Sequence, residues 1–306
     1  MDPSGNFDVT SMAEGELGLS SPSVVYEEPA SVWHRLARNH KISIVSIVVI
    51  LLFVLGAIFA PLLTPYEYDA VSLSERLMPP SPTHLFGTDE VGRDVLTRML
   101  YGSRMSLIIG IVPTMLSMAI GTLIGMTAGY FGGKVDTIIM RVADIVMSFP
   151  SMLLAMVVMY TLGGGTFNVF LTMAFVGWAG VARVVRSETL KLKESEYVEA
   201  ARIMGVRRFR IIARHILPNC LPTIIVLFTL DIPAAILTES SLSFLGMGVQ
   251  PPSASWGLMV NAGRAFLYHA PWLCFAPCLA IMVIVLAFNY LGDGLRDVLD
   301  PHLQSQ

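Results

Sequence analysis

Tyr197-Val-Glu-Ala-Ala-Arg-Ile-Met-Gly-Val-Arg-Arg-Phe-Arg-Ile-Ile-Ala-Arg-His-Ile-Leu-Pro218 is the one long basic segment in a chain that is otherwise mostly apolar. Tyr197, Ala200, Ala201 and Met204 fall at i, i+3, i+4 and i+7, which is one face of a helix. Gly205 interrupts that pattern as a helix stop does. Val206, Phe209 and Ala213 make a second short stripe, with Arg207, Arg208, Arg210 and Arg214 largely off it, and Pro218 closes the segment. The pattern predicts a helix, a glycine turn and a second helix between two hydrophobic spans. It leaves two uses open: a solvated basic loop, or a docking element for a soluble partner.

Composition decides the surroundings. Of 306 residues, 54% are hydrophobic and only 14% charged, with mean hydropathy +0.65. Soluble domains carry about 25% charged residues, so the shortfall implies an all-α integral membrane protein. The net charge of −3 gives no footing for nucleic acid. Cys220, Cys274 and Cys278 lie in or near apolar stretches, as packing residues rather than a disulfide framework or a metal site.

Read outward from the basic segment, the chain divides into apolar runs. Residues 1–41 are an acidic, then basic, tail whose first 30 positions hold few large apolar groups, which predicts disorder. Residues 42–63 are an uncharged run of 22 residues, long enough to cross a hydrocarbon core of about 30 Å and to act as an uncleaved signal anchor. Residues 64–104 form a polar loop. Val91, Val95 and Met99, with Leu96 and Leu100, predict an amphipathic helix there behind an N-cap at Thr88 or Asp89. A transmembrane domain then occupies 105–292, with spans at 105–130, 138–161, 167–185, 220–238 and 271–291 and the basic loop at 186–218. A polar tail, 293–306, ends the chain.

Within the spans, Gly121, Gly125 and Gly129 repeat every four residues and predict close contact with another helix. Pro150 lies mid-span and predicts a kink. Arg141 and Asp144 are three apart and can pair on one helix face. With Asp231, which precedes Pro233, they are also charges near membrane depth, and so candidates for pathway lining or inter-subunit contact.

Six spans put both termini on one side. Most of the 20 Lys and Arg residues fall on that side, among them Arg183, Arg186, Lys191, Lys193, Arg202, Arg207, Arg208, Arg210 and Arg214. The positive-inside rule places both termini and the basic segment in the cytoplasm.

No power source is written in the chain. A phosphate-cradling loop needs Gly-x4-Gly-Lys-Ser/Thr; here Gly133-Lys134 is followed by Val135, with Ala128 where the first glycine belongs. No catalytic constellation is grouped either, so the chain is expected to be a non-catalytic subunit with no cofactor of its own. A cytoplasmic helix pair broken by glycine is what an energy-supplying partner would grip. Small side chains at Ala200 and Ala201 would let it sit deep in a groove, with Tyr197 and Met204 as anchors.

Glu199-Ala-Ala-x3-Gly205, followed by Ile211, His215 and Ile216-Leu-Pro218, resembles the "EAA" loop of ABC-importer permeases. Further stretches resemble the dipeptide/oligopeptide/nickel branch, second-subunit kind: Phe86-Gly-Thr-Asp-x2-Gly-Arg-Asp94, Met140-Arg-x2-Asp144, Ser241-Leu-Ser-Phe-Leu-Gly-x-Gly248, Trp256-Gly257 and Asn289-x-Leu-Gly-Asp-Gly294. The resemblance implies a type I importer permease fold of six transmembrane helices in the bacterial inner membrane. It implies a homologous second permease, two cytoplasmic ATPases that hold ATP and magnesium, and an extracytoplasmic substrate-binding protein. It makes Glu199, Ala200, Ala201 and Gly205, flanked by Tyr197 and Met204, the ATPase-coupling residues. Peptides are the expected cargo; nickel, glutathione or another small solute is the alternative. A self-powered secondary transporter is the other class, against which the absence of an internal repeat counts.

Overall fold

The computed structural model describes residues 41–299. The predicted disordered tail and the last residues of the C-terminal tail lie outside the described residues. Among the described residues the secondary structure is helical, with no strand beyond an isolated bridge between Thr88 and Asp94. The helices are α1 Lys41–Ile58, α2 Val95–Phe131, α3 Gly133–Ser148, α4 Ser151–Leu162, α5 Thr166–Lys193, α6 Glu196–Ile203, α7 Arg208–Phe244, α8 Trp256–Gly263 and α9 Trp272–Leu299. Five of them are long and apolar enough to cross a membrane, and a sixth crossing results if the bent pair α3 and α4 counts as one span.

The glycine stripe does what its spacing predicts. A Cβ on Gly121 would lie 2.6 Å from Val181 Cβ, one on Gly125 2.5 Å from the Ala182 carbonyl oxygen, and one on Gly129 2.8 Å from Thr189 Cβ. So the α2 backbone touches α5 along three successive turns, meeting side chains at Gly121 and Gly129 and backbone at Gly125. In lipid, where no hydrophobic force drives helices together, such close dispersion contact is the main attraction available.

Three expectations need correction. First, no separate amphipathic helix precedes span two. Asp89 spends its carboxylate on the N–H groups of Val91 and Arg93, an Asx-type turn, and Gly92 takes φ +80°. Helix therefore starts only at Val95, capped by Asp94, which accepts from the Thr97 N–H at 2.8 Å. It then runs unbroken for 37 residues into the span.

Second, span three is broken, not kinked. Phe149 precedes Pro150 and is extended at ψ 141°, the conformation a following proline ring imposes. Helices α3 and α4 meet there at 91°. At about 24 Å and 18 Å, neither is long enough to cross alone.

Third, Pro218 does not close the basic segment off from span five. A π-turn over Ile212–Ile216, in which the Leu217 N–H reaches the Ile212 carbonyl, precedes it. Proline has no N–H to give, and the widened turn seats it at the head of the next regular helical run. Span five is thereby continuous with the basic segment, and α7 runs from Arg208 to Phe244.

Candidate functional site

Much of the predicted 186–218 loop is helix continuing from the spans on either side: α5 reaches Lys193 and α7 begins at Arg208. At 28 and 37 residues, about 42 Å and 56 Å long, both outrun a hydrocarbon core of about 30 Å. Their basic ends project, and α6 bridges them.

Helix α6 has two unlike faces. Val198 and Ala201 are buried (Ala201 2% exposed) in a cluster with Tyr130 of α2, Val185 of α5 and Ile211, Ile216 and Cys220 of α7. Tyr197, Ile203 and Met204 are exposed, Met204 at 76%, as are Glu199 and Ala200. At 100° per residue, the buried face is turned by about 80° from the stripe through Tyr197, Ala200, Ala201 and Met204. The structure therefore separates the alanine pair: Ala200 faces out and Ala201 holds α6 to the bundle.

Gly205 ends α6 in the backbone pattern its position predicts. Its φ is +76°, its N–H goes to the Arg202 carbonyl, and the Val206 N–H goes to Ala201. Those two bonds are a Schellman closure, and only a residue without a Cβ adopts that φ at no strain. The exposed Phe209 stands 6.2 Å from Phe131, ring centroid to centroid, and extends the outward apolar surface.

The charges near membrane depth do not pair as their spacing suggested. Asp144 accepts from Arg183 of α5 at 2.6 Å, and Arg141 makes no ion pair among the described residues. Arg186 meets Asp136 bidentately, with Nη2 to Oδ2 at 2.5 Å. A three-residue offset within α3 competes with basic residues on the facing helix, and the facing helix wins. These pairs tie the broken span to the helix that leads into α6.

Asp231 lines a cavity of about 610 Å³ between α2, the α3–α4 break, α5 and α7. Thr114, Ser117, Ser151 and Thr238 supply its other polar walls, and Gly180 and Ala234 keep it open. Asp144 and Arg141 are not among the lining residues.

Sequence reasoning missed Glu239. It is fully buried, and its Oε1 accepts from Ser243 Oγ at 2.6 Å and Ser255 Oγ at 2.9 Å. Those hydroxyls in turn accept from the N–H groups of Val249 and Leu258. One carboxylate thus clamps both ends of the turn that joins α7 to α8. The signal was available: a lone acid eight residues beyond Asp231 in the same apolar run.

Residues 121–305 match the family described as "Binding-protein-dependent transport system inner membrane component". The chain belongs to that family. Residues 30–80 also match the N-terminal transmembrane domain of oligopeptide transport permease C. The dipeptide transport system permease DppC of Bacillus subtilis is 42% identical over 94% of this chain and 89% of its own length. The oligopeptide permease OppC of the same organism is 42% identical over 87% and 88%. The glutathione permease GsiD of Pectobacterium atrosepticum is 43% identical over 89% and 91%. Among solved structures, a chain of the inward-facing MetNI methionine ABC transporter aligns with TM-score 0.55 at 16% identity, over 66% of this chain and 96% of that one, and shows the shared importer-permease fold.

The permease is thus an inner-membrane component of an ABC importer, a class that works with ATPase and binding-protein components. Its relatives are named transport permeases, which suggests a non-catalytic membrane subunit.

Proposed function

We propose that this permease carries peptides inward as one half of a translocation pathway, driven by ATPases that grip α6 from the cytoplasm. The peptide reading rests on the dipeptide and oligopeptide names of relatives at 42% identity. In this reading the chain pairs with a homologous second permease, two ATPases hold the ATP and magnesium, and a binding protein delivers cargo at the opposite face. Both termini lie in the cytoplasm, on the side of the Arg-rich ends of α5 and α7. The glutathione relative favours a second reading, with a peptide-like thiol as cargo.

The observation that carries the coupling is the two-sidedness of α6. Its outer face offers Tyr197, Glu199, Ala200, Ile203 and Met204, while Val198 and Ala201 lock into α2, α5 and α7. A force on the outer face has nowhere to go except into those three helices. ATP-driven closure of the ATPase pair would move α6 as a rigid lever, and α5 and α7, which also wall the cavity, would move with it.

Purification of the complex with Ala200→Arg tests this. The expected result is loss of ATPase subunits from a permease pair that is otherwise intact. Full retention of the ATPases, with normal peptide uptake, would remove α6 as the coupling element.

A further inference from the structure

We propose that Asp231 is the cation-recognising subsite of the cavity, and that the group it receives is the α-ammonium of the peptide in transit. This rests on the peptide-importer reading above.

The cavity contains one ionisable lining residue, Asp231; its other polar lining atoms belong to hydroxyls and backbone. Among the described residues the Asp231 side chain has no hydrogen bond and no ion pair. A carboxylate set among apolar walls away from bulk water is costly unless a cation joins it. The contrast with Glu239 is internal to α7. Eight residues separate the two acids, about 12 Å along the axis. Glu239 is fully buried and committed to Ser243 and Ser255, whereas Asp231 is half-buried and faces open volume.

About 610 Å³ is within the roughly 300–1,000 Å³ of small-molecule sites. Gly180 and Ala234 hollow the wall where larger residues would have filled it. An importer that accepts many peptides can recognise only what they share, and a free α-ammonium is shared whatever the side chains. A single carboxylate, in a cavity whose other polar side chains are uncharged hydroxyls, gives a contact strong enough to admit the cargo and weak enough to release it.

The test uses the full chain assembled with its companion subunits in nanodiscs. Val184→Cys, in a Cys278→Ser background, places a thiol on the cavity wall for labelling by a neutral maleimide. Di-alanine is expected to slow labelling, and N-acetyl-di-alanine to slow it about tenfold less, the ratio that ~1.4 kcal/mol of binding energy produces. Asp231→Asn should erase that difference and lower di-alanine uptake by about tenfold, and Asp231→Glu should restore most of both. The inference is overturned if Asp231→Asn leaves the difference intact, or if it weakens protection by both ligands alike. It is also overturned if that variant sheds the second permease on gel filtration, which would make Asp231 an inter-subunit ion-pair partner. If the parent complex carries another solute but not di-alanine, the peptide reading itself fails, and this subsite falls with it.

Discussion

The Val206 N–H reaches back across Gly205 to the Ala201 carbonyl, 3.1 Å away, and so closes α6 on the same residue that roots it in the bundle. The turn that ends the lever and the side chain that anchors it are therefore one unit. A Cβ at Gly205 would meet nothing within 4 Å, so its cost is conformational alone. Gly205→Ala should weaken the closure by about 1–2 kcal/mol, the strain of a left-handed residue with a Cβ. Gly205→Asn, which tolerates that conformation, should lose less. Hydrogen exchange at the Val206 amide in the purified complex reads the difference; equal exchange in all three would contradict it.

Neighbouring alanines should give opposite phenotypes. Ala200→Arg places a long cation on the outer face and is expected to cost ATPase binding while the permease keeps its thermal stability. Ala201→Arg forces a charge into the cluster around Val185 and Ile216, where an unpaired cation is costly by several kcal/mol. It should reduce the folded permease before coupling can be measured. Thermal unfolding alongside co-purification separates the two, and a stable Ala201→Arg protein would refute the inward placement.

Gly125 and Gly180 lie on the two helices of the tightest pair and differ in what surrounds them. A Cβ at Gly125 would stand 2.5 Å from the Ala182 carbonyl, whereas one at Gly180 meets nothing within 4 Å. Gly125→Val should push α2 from α5 and destabilise by about 1–3 kcal/mol or more. Gly180→Ala should leave the melting temperature nearly unchanged. Melting curves of the two variants in the same detergent check this.

Glu239→Ala removes the acceptor shared by Ser243 and Ser255 and leaves two buried hydroxyls seeking partners, at about 1–3 kcal/mol each. Loss of a buried carboxylate offsets part of that. The local signature survives the offset: the Val249 amide, which donates to Ser243 Oγ, should exchange faster with solvent. Glu239→Gln keeps an acceptor oxygen and should stay near the parent. Unchanged exchange at Val249 in Glu239→Ala would show that the clamp does not hold the turn.

Much of the architecture was legible because it depends on local quantities. Apolar run length against bilayer thickness found the spans, glycine spacing found the α2–α5 contact, and a lone glycine after a periodic stripe found the end of α6. Misreadings arose where two local rules competed. At 88–95 a stripe argued for helix while Asp89 and Gly92 built a turn, and the backbone bonds of Asp89 prevailed. At Asp144, an acid with a basic residue three positions away paired instead with Arg183, 39 residues distant.

By itself, the sequence determined that this chain crosses a membrane, that it lacks a phosphate-cradling loop of its own, and that its basic helix stops at Gly205; each follows from composition or from one residue's backbone freedom. Only the tertiary structure decided which alanine faces out, which cation Asp144 holds, that Glu239 is committed and that Asp231 is not. Helical periodicity names a set of faces and leaves open which one meets the bundle. The choice falls to packing: α2, α5 and α7 cover Ala201 and leave Ala200 bare.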